Sequence, residues 1–414
     1  MFCAEFRGSY MFGYIAALKQ AGVRTVIICI SARVDAPTRR THAPTGATVY
    51  FLPMPRLYRA VHWRMTYPYG QTVRETFGEL RGAQRLLLPL YAATREIALY
   101  LATPLESLAR VIRQEGCDAI LCQEYEYPRF DVSAALGKWL RLPVFATFQG
   151  GNYHHRHLER FSRPLALRAS AGLIIAPQRE ANRVQARYGV PPTKIARIFN
   201  PIDLSVWKPA DRIAARTALG IPTDARVVAW HGRVAIHKKG LDILLDAWER
   251  LYRARPQQTL RLVLIGTGDD AAELQQRVAK IPSVIWINRF INDPSELAHY
   301  LSAADVYAFP SRYEGFPVAL IEAMACGLPV VAADADGVSD ILAERGGGIV
   351  VPREDTEAFT TALGRLFDDS DLTREMGRQA RQRAEATCSL QSVGEQLRDF
   401  LLNARVERVA CFDS

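Results

Sequence analysis

"SRYEGFPVALIEAMACGLPVVAAD" (311–334) joins a polar loop to an apolar helix and then to a buried strand. The run before it, "DVYAFPS" (305–311), is itself strand-like, so the whole reads as one unit of a parallel sheet with a crossover helix. In open α/β sheets ligands sit beyond the carboxyl ends of the strands, which is where this loop places Glu314. The helix begins near Pro317, a residue suited to a first helical turn. The amides of Gly315, Phe316 and Val318 are then donors at the positive end of a helix dipole, where a favourable charge is worth roughly 0.3–1 kcal/mol.

The same alternation of strand and helix extends through most of the chain. "VRTVIICIS" (23–31), "CDAILCQ" (117–123), "LPVFATFQG" (142–150) and "AGLIIAP" (171–177) read as strands of a first unit. After "IFNPIDLSVWKPADRIAARTALGIP" (198–222) the pattern restarts with "ARVVAWHGR" (225–233), "LRLVLIGTGDD" (260–270), "SVIWINRF" (283–290), "DVYAFPS" and "PVVAAD" (329–334). This divides the chain into a first domain (1–203), a second domain (204–385) and a tail (386–414). The tail's apolar positions 390, 393, 397, 400 and 401 define a helix that packs back on the first domain. Only "MFCAEF" precedes the "RGSY" loop and first helix, so the opening strand is either very short or lost.

A length of 414 residues also argues for two cores, and 49% apolar residues for a globular chain. The seven cysteines are scattered with neither CxxC nor zinc spacing, and read as reduced thiols of a cytosolic protein. The greasiest run (86–105) carries Arg95 and Glu96 and falls short of the ~18 uninterrupted apolar residues of a membrane span. A net charge of +9 favours acidic partners. Without a zinc finger, an RRM aromatic motif or a lysine block, nucleic acid is not among the expected partners.

Glu314 and Glu322 can be read as dipole partners and solvated helix residues, or as acceptors for sugar and ribose hydroxyls, a task that suits carboxylates. Glu322 lies within the small, apolar "ALIEAMACG", where an unpaired acid would be costly. "WHGRVAIHKKG" (230–240) follows a strand and supplies Arg233 and Lys239; a guanidinium fork and an ammonium together suit a diphosphate. Gly266 and Gly268 in "LIGTGDD" form a turn that permits close approach of a backbone or a base.

Taken together, "HGR…KKG" (231–240), "LIGTG" (265–269), the EGFP stretch with its two spaced glutamates, and "GGIVVPREDTEAF" (347–359) resemble the retaining glycosyltransferases of family 4. "NPID" (200–203) adds a further match. That resemblance implies the GT-B architecture, two Rossmann-like doubly wound domains facing a cleft. It implies transfer of a sugar from a nucleoside diphosphate donor, UDP- or GDP-linked, with retention of configuration and neither metal nor other cofactor. It assigns the donor diphosphate to Arg233 and Lys239, with Lys238 as the alternative lysine, and the donor sugar to Glu314. Glu322 takes the ribose and the amides from Gly315 through Phe316 and Pro317 to Val318 face the phosphates. Gly8 of the "RGSY" loop approaches the diphosphate from the first domain. Where many family members place a histidine near the reacting sugar, this chain has Gln149, with His154 and His155 nearby as substitutes.

The expected acceptor is a saccharide or lipid-linked saccharide of bacterial cell-surface polysaccharide or glycolipid synthesis. From Arg56 to Arg113 nine arginines face four glutamates, with aromatic residues and Leu86–Leu88 between them. Such a stretch fits either an anionic membrane surface or buried helices with snorkelling arginines. Two other readings stay open: a nucleotide-sugar epimerase of the same fold, which the EGFP spacing disfavours, and a nucleotide-sugar-binding protein without turnover, suggested by Gln149.

Overall fold

The computed structural model describes residues 10–67, 72–150, 157–281, 283–342 and 346–412. After an opening helix, Tyr10–Gln20, come β1 (Val26–Ser31), β2 (Thr38–Thr41) and β3 (Thr48–Pro53). β1 and β3 run parallel and β2 pairs antiparallel with β3 at the edge. Next come β4 (Ile120–Cys122), β5 (Val144–Thr147), β6 (Gly172–Ile174) and β7 (Ile195–Ala196), all parallel in that order. Among the described residues no pairing joins β1 to β4, and those of the first domain form two sheets. In a doubly wound sheet the position between the second and fourth strands belongs to the first.

Helices bind the two sheets into one body. The opening helix sets Phe12 and Ile15 on Ile27 and Val49, and Tyr14 and Leu18 near Ile174 and Ile198. Ala109, Ile112 and Leu136, from the helices Leu105–Gln114 and Pro128–Leu140, pack with Ile28 and Ile120. β2, β3 and β7 escaped the sequence reading: β2 is the polar "TRRT" on an edge, and β7 has two residues.

The second domain is one parallel sheet of β8 (Arg226–His231), β9 (Leu260–Ile265), β10 (Val284–Ile287), β11 (Val306–Phe309), β12 (Val330–Ala333) and β13 (Gly348–Val351). The spatial order is β10-β9-β8-β11-β12-β13. Side chains alternate between two cores: Val227 and Ala229 join Tyr307, Leu320 and Met324, while Val228 and Trp230 join Trp248, Phe359 and Leu363. Covered on both faces, the central strands are mostly apolar, and five of the six were therefore legible as runs. Each fully buried large side chain contributes about 1.5–3 kcal/mol to holding this body rigid.

The chain crosses between the domains at 197–211 and again at Ser389, where the Ile202 amide donates to the Cys388 carbonyl at 2.7 Å. The final helix, Leu390–Phe412, then lies along the opening helix, with Val393 and Leu397 fully buried against Tyr14, Ala17 and Leu18. This is the return expected from the apolar spacing of the tail.

Candidate active site at the switch point of the second sheet

Strand order in the second domain reverses between β8 and β11, and the crevice beyond their carboxyl ends is the natural ligand site of such a sheet. β8 delivers His231 to it and the following turn delivers Arg233 and Lys239; β11 delivers residues 310–317 and then the helix Val318–Ala325. Two side-chain contacts cross the crevice. Lys239 Nζ donates to Glu314 Oε1 at 2.7 Å, and His231 Nε2 lies 2.8 Å from Glu322 Oε2. Glu314 is nearly covered, its side chain 9% exposed, so its charge needs the lysine. His231 is equally covered, and its Nδ1 is buried without a partner. Glu322 is thus partnered rather than stranded within its apolar helix.

The loop that carries Glu314 is itself held by Arg312, buried in spite of its charge. Its guanidinium makes a two-point contact with Asp242, both bonds 2.8 Å, and a third bond of 2.8 Å to Glu354. It also donates to the His237 carbonyl at 2.8 Å, and its amide donates to the Lys238 carbonyl at 3.1 Å. Arg312 therefore ties the loop after β11 to the turn after β8, which fixes Glu314 beside Lys239.

Across the cleft, the turn after β5 meets this loop. Gln149 and Gly150 lie so close to Gly315 that a Cβ on Gly315 would stand 2.2 Å from both the Gln149 carbonyl oxygen and the Gly150 Cα. Farther along the same interface Arg179 pairs with Asp336 at 2.8 Å and Arg197 pairs with Asp340. The cleft is closed in this structure.

Comparison with known proteins bears on what such a crevice handles. A family model described as Glycosyltransferase Family 4 matches residues 8–206, and one described as Glycosyl transferases group 1 matches residues 225–369. This chain belongs to glycosyltransferase family 4. D-Inositol 3-phosphate glycosyltransferases from Saccharomonospora viridis and Kribbella flavida are 33% and 32% identical to it over 221 and 225 residues. Those stretches are 51% of this chain and of the first relative, and 52% and 53% for the second. The chain spans about half the length of the curated relatives it matches. Among solved structures, a sucrose-phosphate synthase from Thermosynechococcus elongatus superimposes with a TM-score of 0.66 at 21% identity, covering 99% of this chain and 96% of that one. HepE from Anabaena, in complex with UDP and glucose, gives 0.65 at 17% identity, covering 96% and 98%. Both likenesses establish the GT-B fold.

For a family 4 glycosyltransferase, the residues singled out in the sequence lie as follows. Lys239 faces Glu314, whereas Lys238 is exposed. Arg233 is exposed at the mouth of the crevice and pairs with Asp269. Gly266, at φ 128°, packs under the Gly232 carbonyl, 2.0 Å from where a Cβ would stand; its bareness serves one backbone passing another. Phe316 is buried and Pro317 precedes the helix as its cap. The Val318 amide corrects the expectation of an open donor, because the chain turns it onto the Phe316 carbonyl at 2.9 Å. The Gln149 amide is committed to Asn200 in a reciprocal pair, 3.0 and 2.7 Å. Gly8, His154 and His155 lie outside the described residues.

Sequence reasoning missed His231, Arg312 and Asn200. The first stands 91 residues from its partner and the last 51 from Gln149, separations that only the fold closes. A basic residue soon after a strand, one position before the tyrosine that precedes EGFP, was the one local sign of Arg312. Among the described residues no cluster of three or more His, Cys, Asp or Glu side chains is placed to hold a metal ion.

Proposed function

We propose that this chain transfers a hexosyl unit from a UDP- or GDP-linked donor to an acceptor hydroxyl, with retention of anomeric configuration. The observation that carries the reading is the Lys239–Glu314 pair at the switch point of the second sheet, 2.7 Å apart and closed over by the first domain. The donor diphosphate draws Lys239 and Arg233 away from their acids, and these cations offset the charge that grows on the leaving phosphate. Glu314 then accepts from hydroxyls of the donor sugar and Glu322 from the ribose, while the Gly315 and Phe316 amides face phosphate oxygens. The bond from C1 to the phosphate oxygen breaks and a bond from C1 to the acceptor oxygen forms on the same face. The acceptor's proton passes to the released phosphate oxygen. The side chains named here supply charge and position, and we assign no cofactor.

A nucleotide-sugar-binding protein without turnover is the second reading, favoured by the engagement of Gln149 with Asn200. One experiment separates the two. Thermal stabilisation by UDP, GDP, ADP and their sugars identifies the base, and proton NMR of a positive mixture reads transfer and the anomer of the product. Stabilisation by one nucleotide family, abolished in Arg233→Ala, together with an α-product from an α-donor, is expected. Stabilisation without turnover across acceptors supports the second reading, and no stabilisation by any nucleotide refutes both.

We further propose that the acceptor is a saccharide or lipid-linked saccharide of cell-surface glycan synthesis, met at an anionic membrane surface. Leu86 and Leu90 are 83% and 61% exposed, and Arg81 and Arg85 stand beside them without an acidic partner among the described residues. The neighbouring helix Glu159–Ala169 exposes Phe161 and Leu165, and Tyr100 holds it to the helix Leu88–Leu101 through Ser162 at 2.7 Å. Exposed apolar side chains flanked by unpaired arginines complement an anionic lipid surface. No helix of the described residues is long and apolar enough to cross a membrane.

A further inference from the structure

Glu124, just beyond β4, has no part in the chemistry assigned above, yet it is built into the wall of the cleft. Its backbone takes φ 70°, a left-handed conformation seldom adopted outside glycine. Its side chain is buried at 5% exposure. One carboxyl oxygen, Oε2, accepts the Gln149 N–H at 2.9 Å; the other, Oε1, is buried with no partner. The Glu124 amide lies 3.3 Å from Thr147 Oγ1, which anchors the residue to the end of β5.

Among the described residues, the charged groups around it leave it no cation. On its own turn stands Glu126, paired with Arg183 at 2.7 Å. The helix Gln178–Tyr188 contributes Glu180 and Arg183, joined to each other at 2.6 Å, and Glu180 also takes the Tyr125 hydroxyl. Arg163, from the helix Glu159–Ala169, is committed to Asp131 at 2.6 Å. On the far side of the Gln149–Gly150 turn, Lys239 is committed to Glu314. Burial, reinforced by the charges of Glu126 and Glu180 and opposed by the backbone N–H groups of Gln149 and Glu126, pushes the Glu124 carboxyl up to about 8.

We propose that Glu124 is a positioning residue for the transfer reaction, its carboxylic acid holding the Gln149 N–H and so fixing the turn through which the first domain bears on Gly315. The proposal rests on the transferase reading above. In the acid form the carbonyl oxygen holds the turn and little is lost at the other oxygen. In the ionised form a buried charge lacks a counter-ion among the described residues, and water reaches it when the turn withdraws and the cleft opens. Closing therefore takes up a proton. The closed cleft is favoured most in the ordinary carboxylate range, weakens as pH rises toward about 8, and changes no further above that.

Small-angle scattering of the full chain without substrates, from pH 5 to 9, tests this apart from any activity. In the wild type the ratio of closed to open molecules is expected to fall by up to tenfold per pH unit and level off near pH 8. Glu124→Gln keeps an acceptor for the Gln149 amide and cannot ionise, so this component of the pH dependence is expected to vanish, every other titration being common to both proteins. In the transfer assay Glu124→Ala is expected to lose at least tenfold in kcat/KM at pH 6, with nucleoside diphosphate affinity held within threefold, and Glu124→Gln to recover part of that loss. The same pH dependence in wild type and Glu124→Gln overturns the proposal, as does an unimpaired Glu124→Ala. The expected scattering result with no transfer from any donor overturns the transferase reading instead and leaves the closing role of Glu124 standing.

Discussion

Gly315→Ala isolates the contact between the two domains. Gly315 does not need a left-handed backbone, so the loop itself accepts an alanine; the obstruction lies wholly in the other domain. The new methyl would stand 2.2 Å from the Gln149 carbonyl oxygen and the Gly150 Cα, where side chains keep beyond 3.0 Å. Relief requires the first-domain turn to retreat by close to 1 Å. A displacement of about 1 Å between reacting groups costs on the order of 100-fold in rate. We therefore expect kcat/KM to fall about 100-fold while UDP or GDP binding, which we propose the second domain makes, weakens less than threefold. Steady-state transfer and titration calorimetry read the two quantities. A variant within threefold of wild type in kcat/KM would refute the reasoning, since it would show that the working enzyme does not use this closed contact.

Three further outcomes are expected. Glu314→Gln should lower turnover more than affinity for free nucleoside diphosphate, because its proposed partner is the sugar; equal losses in kinetics and calorimetry would make it structural. Asp131→Ala leaves Arg163, 3% exposed, without its anion, and should cost about 3–5 kcal/mol in urea unfolding. Leu86→Ser combined with Leu90→Ser should reduce sedimentation with anionic phosphatidylglycerol vesicles while leaving transfer to a short soluble acceptor intact; unaltered sedimentation would move the membrane surface elsewhere.

The second domain was legible because its strands are buried on both faces and its loops carry charge where the sheet ends. "DVYAFPS" and "RYEG" together say where β11 stops and what it presents, without any knowledge of neighbours. Partners across the sheet are a different matter. Glu322 announced a need for company, but that His231 meets it follows from β8 and β11 lying side by side, a fact of strand order. The first domain was less legible for the same physical reason: the polar β2 has no core-facing period to betray it, and the division into two sheets lies in pairing that local pattern does not encode. Gln149 read as a ligand-facing amide because the family resemblance puts a histidine near the reacting sugar at that position; Asn200, beside the interdomain crossing, absorbs both ends of it.

The return of the last helix to the first has a consequence for how the molecule is made. Tyr14, Ala17 and Leu18 leave the ribosome long before the surface that covers them, Val393 and Leu397. At roughly 5–20 residues per second the opening helix waits some tens of seconds for its cover. The amino-terminal domain is begun first and completed last, so a chain halted before residue 393 carries a finished second core beside an unfinished first one.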